Sequence, residues 1–307
     1  MTLETIAIVG AGGRVGSALI PVLLQETDAR IIAVSSQHAP DGSDERVQWC
    51  TVDIADKAAL KGALMQVKPD TIVNCAAYTN VDACEADRHT AWAVNVTLPE
   101  TLARISRILD AHLVHMSTDY VFDGAKGPYD EHAVPSPLNY YGKSKLAGEN
   151  VCLSGSSAAT IVRTNVVFGQ TGVHPDFVQW VTTSLEQKKP IRVVTDQYSN
   201  PTFSDDVTDA LRRIVLKRRT GLFHVGGADY LSRYDFAVQI AEFFKLDPTL
   251  VLPVSTAELK QAAKRPLRGG LVSLHAESVL GLTTVGITAA LSSWRHRVFS
   301  TAPSATL

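Results

Sequence analysis

The sequence is poor in the features that mark specialised classes of protein. Cysteine is scarce, with only Cys50, Cys75, Cys84 and Cys152 in 307 residues, and no C-x-x-C pair among them. That excludes a disulfide framework and predicts reduced thiols in a cytoplasmic protein. Neither sign of charge dominates: the formal net charge is −2, which leaves no electrostatic ground for a nucleic-acid or anionic-membrane partner. No apolar run approaches the roughly 20 residues needed to span a bilayer. "MTLE" runs directly into "TIAIVG" without a basic region, an apolar stretch and a cleavage site, so no signal peptide is expected. The nine histidines form no H-E-x-x-H and no close Cys/His pairing, so no metal site is expected. Internal repeats and low-complexity segments are absent too, and the tail "STAPSATL" reads as frayed.

What is present fits a globular enzyme. Hydrophobic residues make up 45% and charged residues 20%, enough for a sizeable core in one large domain or two ordinary ones. Short β-branched runs ("TIAIVG", "RIIAVSS", "DTIVNCAA", "HLVHMS", "ATIVRT", with "RVQWCTV" as another short strand) alternate with helical stretches such as "RVGSALIPVLLQE" and "GKSKLAGENVCL". This alternation predicts an α/β fold: a doubly wound parallel sheet with both faces covered. Residues 1–168 are expected to form a dinucleotide-binding domain. Beyond residue 169 the alternation loosens, and 169–307 read mainly as a smaller C-terminal α/β substrate-binding domain, with 192–226 returning to the first. Within it, Ser232 is the expected N-cap of "SRYDFAVQIAEFF", with Asp235 at capping-box distance.

"AIVGAGGRVGSAL" sets Gly10, Gly13 and Gly16 between an apolar strand and a helix. Glycines there permit a tight turn and close approach to a pyrophosphate, and the helix N-terminus offers free N–H groups. The acid that reads an NAD ribose is due about 20 residues later, at the end of the second strand. That stretch is Ser35, Ser36, Gln37 and His38. A missing carboxylate, with Arg14 inside the loop, favours NADP(H) over NAD(H). Asp53 reads either as a contact on the adenine side or as a helix N-cap.

Several further stretches occur in order: "NCAAYTNVDACE", "LVHMSTDYVFDG", "YGKSKLAGE", "IVRTNVVFG" and "DQYSNPTFSDDV". Together, from about residue 5 to at least 275, they resemble the extended short-chain dehydrogenase/reductase superfamily and, within it, the dTDP-4-dehydrorhamnose reductase family. The resemblance implies a Rossmann-like fold, a nicotinamide cofactor and a nucleotide-linked 4-keto-6-deoxy sugar as substrate; a homodimer is compatible with it. It places Gly10, Gly13, Arg14, Val15 and Gly16 at the phosphates, with Ser35, Asp53 and Ile54 towards the adenosine. Ala76, Ala77, Tyr78 and Met116 would line the cofactor. Asn95 would support the lysine through backbone and water. Thr118, Tyr141 and Lys145 would be catalytic, and Asp119 would hold the sugar. The family commonly reads Arg-Thr-Ser-Trp where this chain has Arg163, Thr164, Asn165 and Val166. An aromatic wall against the sugar is replaced by aliphatic Val166, which leaves the identity of the sugar open.

The chemistry explains the choice of residues. A tyrosine with a reference pKa of about 10 becomes a useful proton carrier when a cation one helical turn away favours its phenolate. Lys145 stands four residues after Tyr141, whereas the residue four after Tyr140 is Ser144, and the residue four before Lys143 is Asn139. A hydroxyl at a strand end can hold the substrate oxygen; Ser117 and Thr118 both offer one, and the resemblance selects Thr118. His112 and His115 are expected to be structural. Two alternatives stand beside a reductase. One is a nucleotide-sugar dehydratase or epimerase of this superfamily; a dehydratase would carry Asp-Glu after the threonine, but Asp119 and Tyr120 follow Thr118 here. A non-catalytic NADP-binding subunit, like methionine adenosyltransferase β, is opposed by the intact Thr118, Tyr141 and Lys145.

Overall fold

The computed structural model describes residues 4–37, 44–169 and 175–301. Its centre is a seven-stranded sheet of β1 (Thr5–Val9), β2 (Arg30–Ser35), β3 (Val47–Thr51), β4 (Thr71–Asn74), β5 (His112–Thr118), β6 (Ala159–Thr164) and β7 (Gly221–Val225). The spatial order is β7-β6-β5-β4-β1-β2-β3, and every pairing is parallel. The chain leaves β1 in one direction and resumes at β4 in the other, so a crevice opens at the C-terminal ends of β1 and β4.

The inner strands β1 and β4 are buried on both faces because both are covered. Ile6 and Ile8 face α1 (Arg14–Glu26) and share a core with its Leu19 and Leu23. The alternate residues Ala7 and Val9 join the opposite core with Leu60 and Leu64 of α2 (Lys57–Val67) and Leu102 of α3 (Leu98–Leu109). α4 (Tyr140–Gly155) contributes Cys152 to that second core, and α5 (Ser204–Leu216) packs on α1 through Val207, Leu211 and Ile214. This is the doubly wound Rossmann-like arrangement.

A third core belongs to the C-terminal half, where Phe168, Val178, Ile191, Phe236, Leu291 and Trp294 cluster. Of the stretch 192–226, α5 and β7 belong to the main sheet and its cover. Ile191–Val194 does not: it pairs with Val251–Val254 in a separate two-stranded sheet. Ser232 caps Arg233–Phe243 by accepting from the Asp235 backbone N–H at 3.0 Å.

One polar element crosses the main core. Arg163 on β6 donates from Nε and Nη2 to the two oxygens of Glu149 on α4, at 2.8 and 2.6 Å, and the side chains are 4% and 3% exposed. Ser117 on β5 donates to the same carboxylate at 2.5 Å, and His224 on β7 sits 3.3 Å from Arg163 Nη1. Burial, then the neighbouring guanidinium, hold His224 down to about 4, so at neutral pH it adds no second charge. Removing one member of a buried pair strands the other without compensation. Glu149→Ala is expected to cost about 3–5 kcal/mol in urea unfolding; a loss below about 1 kcal/mol, the size of an exposed pair, would contradict this account.

Candidate active site

The phosphate loop follows β1. Gly10 has φ +81°, and a Cβ there would lie 2.7 Å from the Ala76 backbone nitrogen, so only glycine fits between the loop and the end of β4. A Cβ on Gly16 would collide with the Gly10 carbonyl. Gly13 is the N-cap of α1 and supplies no side-chain acceptor, which leaves first-turn N–H groups for an anion. Val15 and Arg14 line the adjoining cleft.

Two cavities meet along this edge of the sheet. The smaller, about 210 Å³, lies at the ends of β1 and β2 and is lined by Gly12, Ser35, Ser36, Gln37, Ile54 and Ala76 among others. Among the described residues, no carboxylate lines it. Ser35 Oγ accepts from the Gln37 backbone N–H at 3.0 Å; His38 lies outside the described residues. Arg14 lines the larger cleft, with its guanidinium 3.0 Å from Asp176 Oδ2. Asp53 is exposed and accepts from the Ala55 N–H at 2.9 Å. The cap of α2 is instead Asp56, which accepts from the Ala58 and Ala59 N–H groups.

The larger cleft, about 450 Å³, brings together Met116, Thr118, Tyr141 and Lys145 with Cys75, Ala77 and Val166. α4 presents Tyr141 and Lys145 one turn apart near its start, where Asn139 caps the helix by accepting from the Gly142 N–H at 2.8 Å. The Tyr141 phenol is held protonated by burial, an effect the facing Thr118 hydroxyl partly offsets. Lys145 is 1% exposed and donates to the Met116 carbonyl at 2.7 Å. Burial pulls it down to about 8, against the nearby Glu149 carboxylate. The site therefore holds an acid that keeps its proton at neutral pH and, on the same helix face, a cation that is easily discharged.

Asn95 sits in a single π-helical turn, Ala93–Thr97, that interrupts the long helical stretch. Its Oδ1 accepts from the Tyr78 N–H at 2.9 Å, and its Nδ2 donates to the Tyr78 carbonyl and to Ser144. Asn95 thus fastens the loop after β4 to α4, and the side-chain contact with α4 falls on Ser144, next to Lys145. Asp119 is buried, and its Oδ2 accepts from the Gly270 N–H at 3.1 Å. Burial raises its carboxyl pKa.

Asp119 belongs to a polar cluster that motif reading missed. Asn165 Nδ2 donates to Asn200 Oδ1 at 2.8 Å, and Thr202 Oγ1 donates to Asn165 Oδ1 at 2.9 Å. Asn165 and Asn200 stand 35 positions apart; only the polar character of "RTN" and "SNPT" hinted at them. Val166, next to this cluster, has φ +42°, a strained conformation for a β-branched residue. Among the described residues, no group of three or more His, Cys, Asp or Glu side chains is placed to hold a metal.

A parallel sheet with its crevice at the switch point, a glycine loop and a Tyr-Lys pair beside a threonine define an NAD(P)H-dependent oxidoreductase of the short-chain dehydrogenase/reductase class. The RmlD substrate binding domain matches residues 4–299, and the chain belongs to that family. It is 35% identical to a dTDP-4-dehydrorhamnose reductase of Mycobacterium tuberculosis, over 88% of this chain and 85% of the other. It is 32% identical to a dTDP-4-keto-6-deoxy-D-glucose reductase of Streptomyces niveus, over 84% and 85%. A crystal structure of dTDP-4-dehydrorhamnose reductase from Bacillus anthracis in complex with NADP superposes with TM-score 0.86 at 29% identity, covering 96% of this chain and 100% of that one.

One hydroxyl beside the cleft is left unmet. Thr164 Oγ1, at the end of β6 on the cleft wall, is buried and lacks a hydrogen-bond partner. An unmet buried hydroxyl is costly unless something bound completes it. Thr164→Val should leave stability unchanged or slightly raised in thermal unfolding. A loss of about 1 kcal/mol or more, the worth of one hydrogen bond, would show that the hydroxyl has a partner in the folded protein.

Proposed function

We propose that this protein reduces the 4-keto group of a nucleotide-linked 4-keto-6-deoxy sugar, in the manner of a dTDP-4-dehydrorhamnose reductase. The observation that carries the reading is a buried Tyr141 standing one turn from Lys145 and lining the same cleft as Thr118. NADPH, when bound, supplies the hydride. Gly10, Gly13, Val15 and Gly16 with the start of α1 would hold its phosphates; Ile54, Ala76 and Ala77 would flank the adenosine; Met116 would lie by the nicotinamide. The neutral lining of Ser35, Ser36 and Gln37 favours NADPH over NADH. Tyr141 gives its proton to the carbonyl oxygen, Thr118 orients that oxygen, and the Lys145 charge stabilises the phenolate left behind. Asp119 and the Asn165 cluster position the sugar, with Val166 as its wall. A homodimer completes this reading, supported by exposed Ile108 and Leu153 on the adjoining helices α3 and α4; a cytoplasmic location suits the four free thiols.

The test is NADPH oxidation with a panel of dTDP- and UDP-linked 4-keto sugars, the product identified by NMR. Tyr141→Phe should abolish reduction and leave NADPH affinity within a few-fold. An active variant would place the acid elsewhere, and tight NADPH binding without oxidation by any sugar would make the protein a binding subunit. Because Arg14 is tied to Asp176, Arg14→Ala separates two roles. A loss confined to NADPH would mark a 2′-phosphate contact; equal loss for NADPH and NADH would mark a brace between the loop and the C-terminal lobe, and would leave the preference for NADPH resting on Ser35, Ser36 and Gln37.

A further inference from the structure

His115 lies at the centre of β5, fully buried, and takes no part in the chemistry described above. Its ring nitrogens have different partners. Nδ1 is 3.0 Å from Asn74 Nδ2, at the end of β4, and Nε2 is 3.4 Å from Lys145 Nζ. The orientation of the Asn74 amide is set independently, since its Oδ1 accepts from the Ala76 backbone N–H at 3.2 Å. The amide nitrogen therefore faces the imidazole, and an amide nitrogen only donates. Nδ1 must accept, which puts the single proton of the neutral ring on Nε2. Burial, and then the neighbouring Lys145 charge, keep the ring neutral.

The consequence falls on Lys145. An N–H aimed at an ammonium meets no lone pair; aimed at a neutral amine, it meets one. We propose that His115 is a positioning residue for proton delivery: its Nε2–H, directed by Asn74, faces the Lys145 amine and favours loss of the charge that supports Tyr141. This rests on the reductase reading for its catalytic meaning, but the hydrogen-bond logic stands without it.

The other groups facing Lys145 do not supply this effect. Cys75 at the end of β4 and Cys152 on α4 are pushed up to about 12 by burial and stay neutral thiols. Glu149, one turn further along α4, favours the charged lysine and is itself engaged by Arg163 and Ser117. Tyr141, one turn earlier, keeps its proton. The Met116 carbonyl accepts from either form of Lys145. His115 is the neighbour whose donor or acceptor character is set by a third residue.

The experiment follows Lys145 directly, by ε-carbon NMR titration of the labelled protein, and the imidazole by its nitrogen shifts. His115 should show the Nε2–H tautomer at neutral pH; the Nδ1–H tautomer would overturn the proposal. In His115→Phe the donor is gone and Lys145 should titrate higher, by roughly half a unit or more. In Asn74→Ala the ring is free to take the Nδ1–H tautomer without any added charge, Nε2 can accept from the ammonium, and Lys145 should again titrate higher. The alkaline limb of kcat/KM for sugar reduction should move up with it in both variants. An unmoved lysine titration in both would reduce His115 to packing. Because the tautomer and the lysine titration are read without a substrate, a protein that reduced no sugar would still decide this point.

Discussion

The geometry of the site hangs on one buried contact, the two-pronged hydrogen bond from Arg163 to Glu149. Tyr141, Lys145 and Glu149 follow at intervals of four and form a single stripe along α4. The last member of that stripe is bolted to β6 by Arg163 and to β5 by Ser117, so the rotation of the helix about its axis is set by a contact far from the reacting atoms. Compared with an apolar pair of the same volume, a buried ion pair gives little net stability. What it gives here is direction. Rotating α4 enough to move the phenol would pull a carboxylate out of a bidentate contact and leave two charges in the core unpaired.

Around that stripe the sheet supplies fixed points at its C-terminal edge. The loop after β1 offers backbone N–H groups, the end of β4 gives Asn74 and Ala76, the end of β5 gives Met116 and Thr118, and the end of β6 gives Thr164. Each is a strand terminus, and so each inherits its position from the parallel ladder. The C-terminal half adds Asn200 and the Gly270 N–H from outside the sheet; Gly270 bonds Asp119, and Leu271 packs on Val121 and Phe122 beside it. The smaller cavity and the glycine loop are thus walled largely by backbone and small residues, and the Asp119 side of the cleft by hydrogen-bonded side chains.

Much of this was legible in the sequence, and the reason is locality. Alternating β-branched runs and amphipathic helices state the layers, and Gly10, Gly13 and Gly16 state the turn between β1 and α1. The i to i+4 spacing of Tyr141 and Lys145 is itself a helical contact. Ser232 and Asp235 announce a cap three residues apart. What escaped were contacts between distant positions: Glu149 with Arg163, His115 with Asn74, Asn165 with Asn200. No spacing rule links them, because the topology brings them together. Asn95 shows a subtler case. Its segment reads as one long helix, yet a π turn interrupts it so that the side chain can bond the Tyr78 backbone. Asp53 and Asp56 show the limit of boundary reading, since both suit a cap and only the chain's path chooses between them.

Val166 has a left-handed backbone without the glycine that would make it comfortable. Strain of this kind costs on the order of 1–3 kcal/mol, and glycine at the same place would relieve it while erasing the cleft wall. Position 166 therefore couples two quantities that protein engineers usually vary separately, the shape of the cleft wall and the ease of the turn that carries it. A larger side chain there would reshape the wall on a backbone already under tension. The Val166 carbonyl accepts from the Thr202 N–H at 3.3 Å, and the next two residues pair with Thr202–Phe203, so the turn is held where it lies.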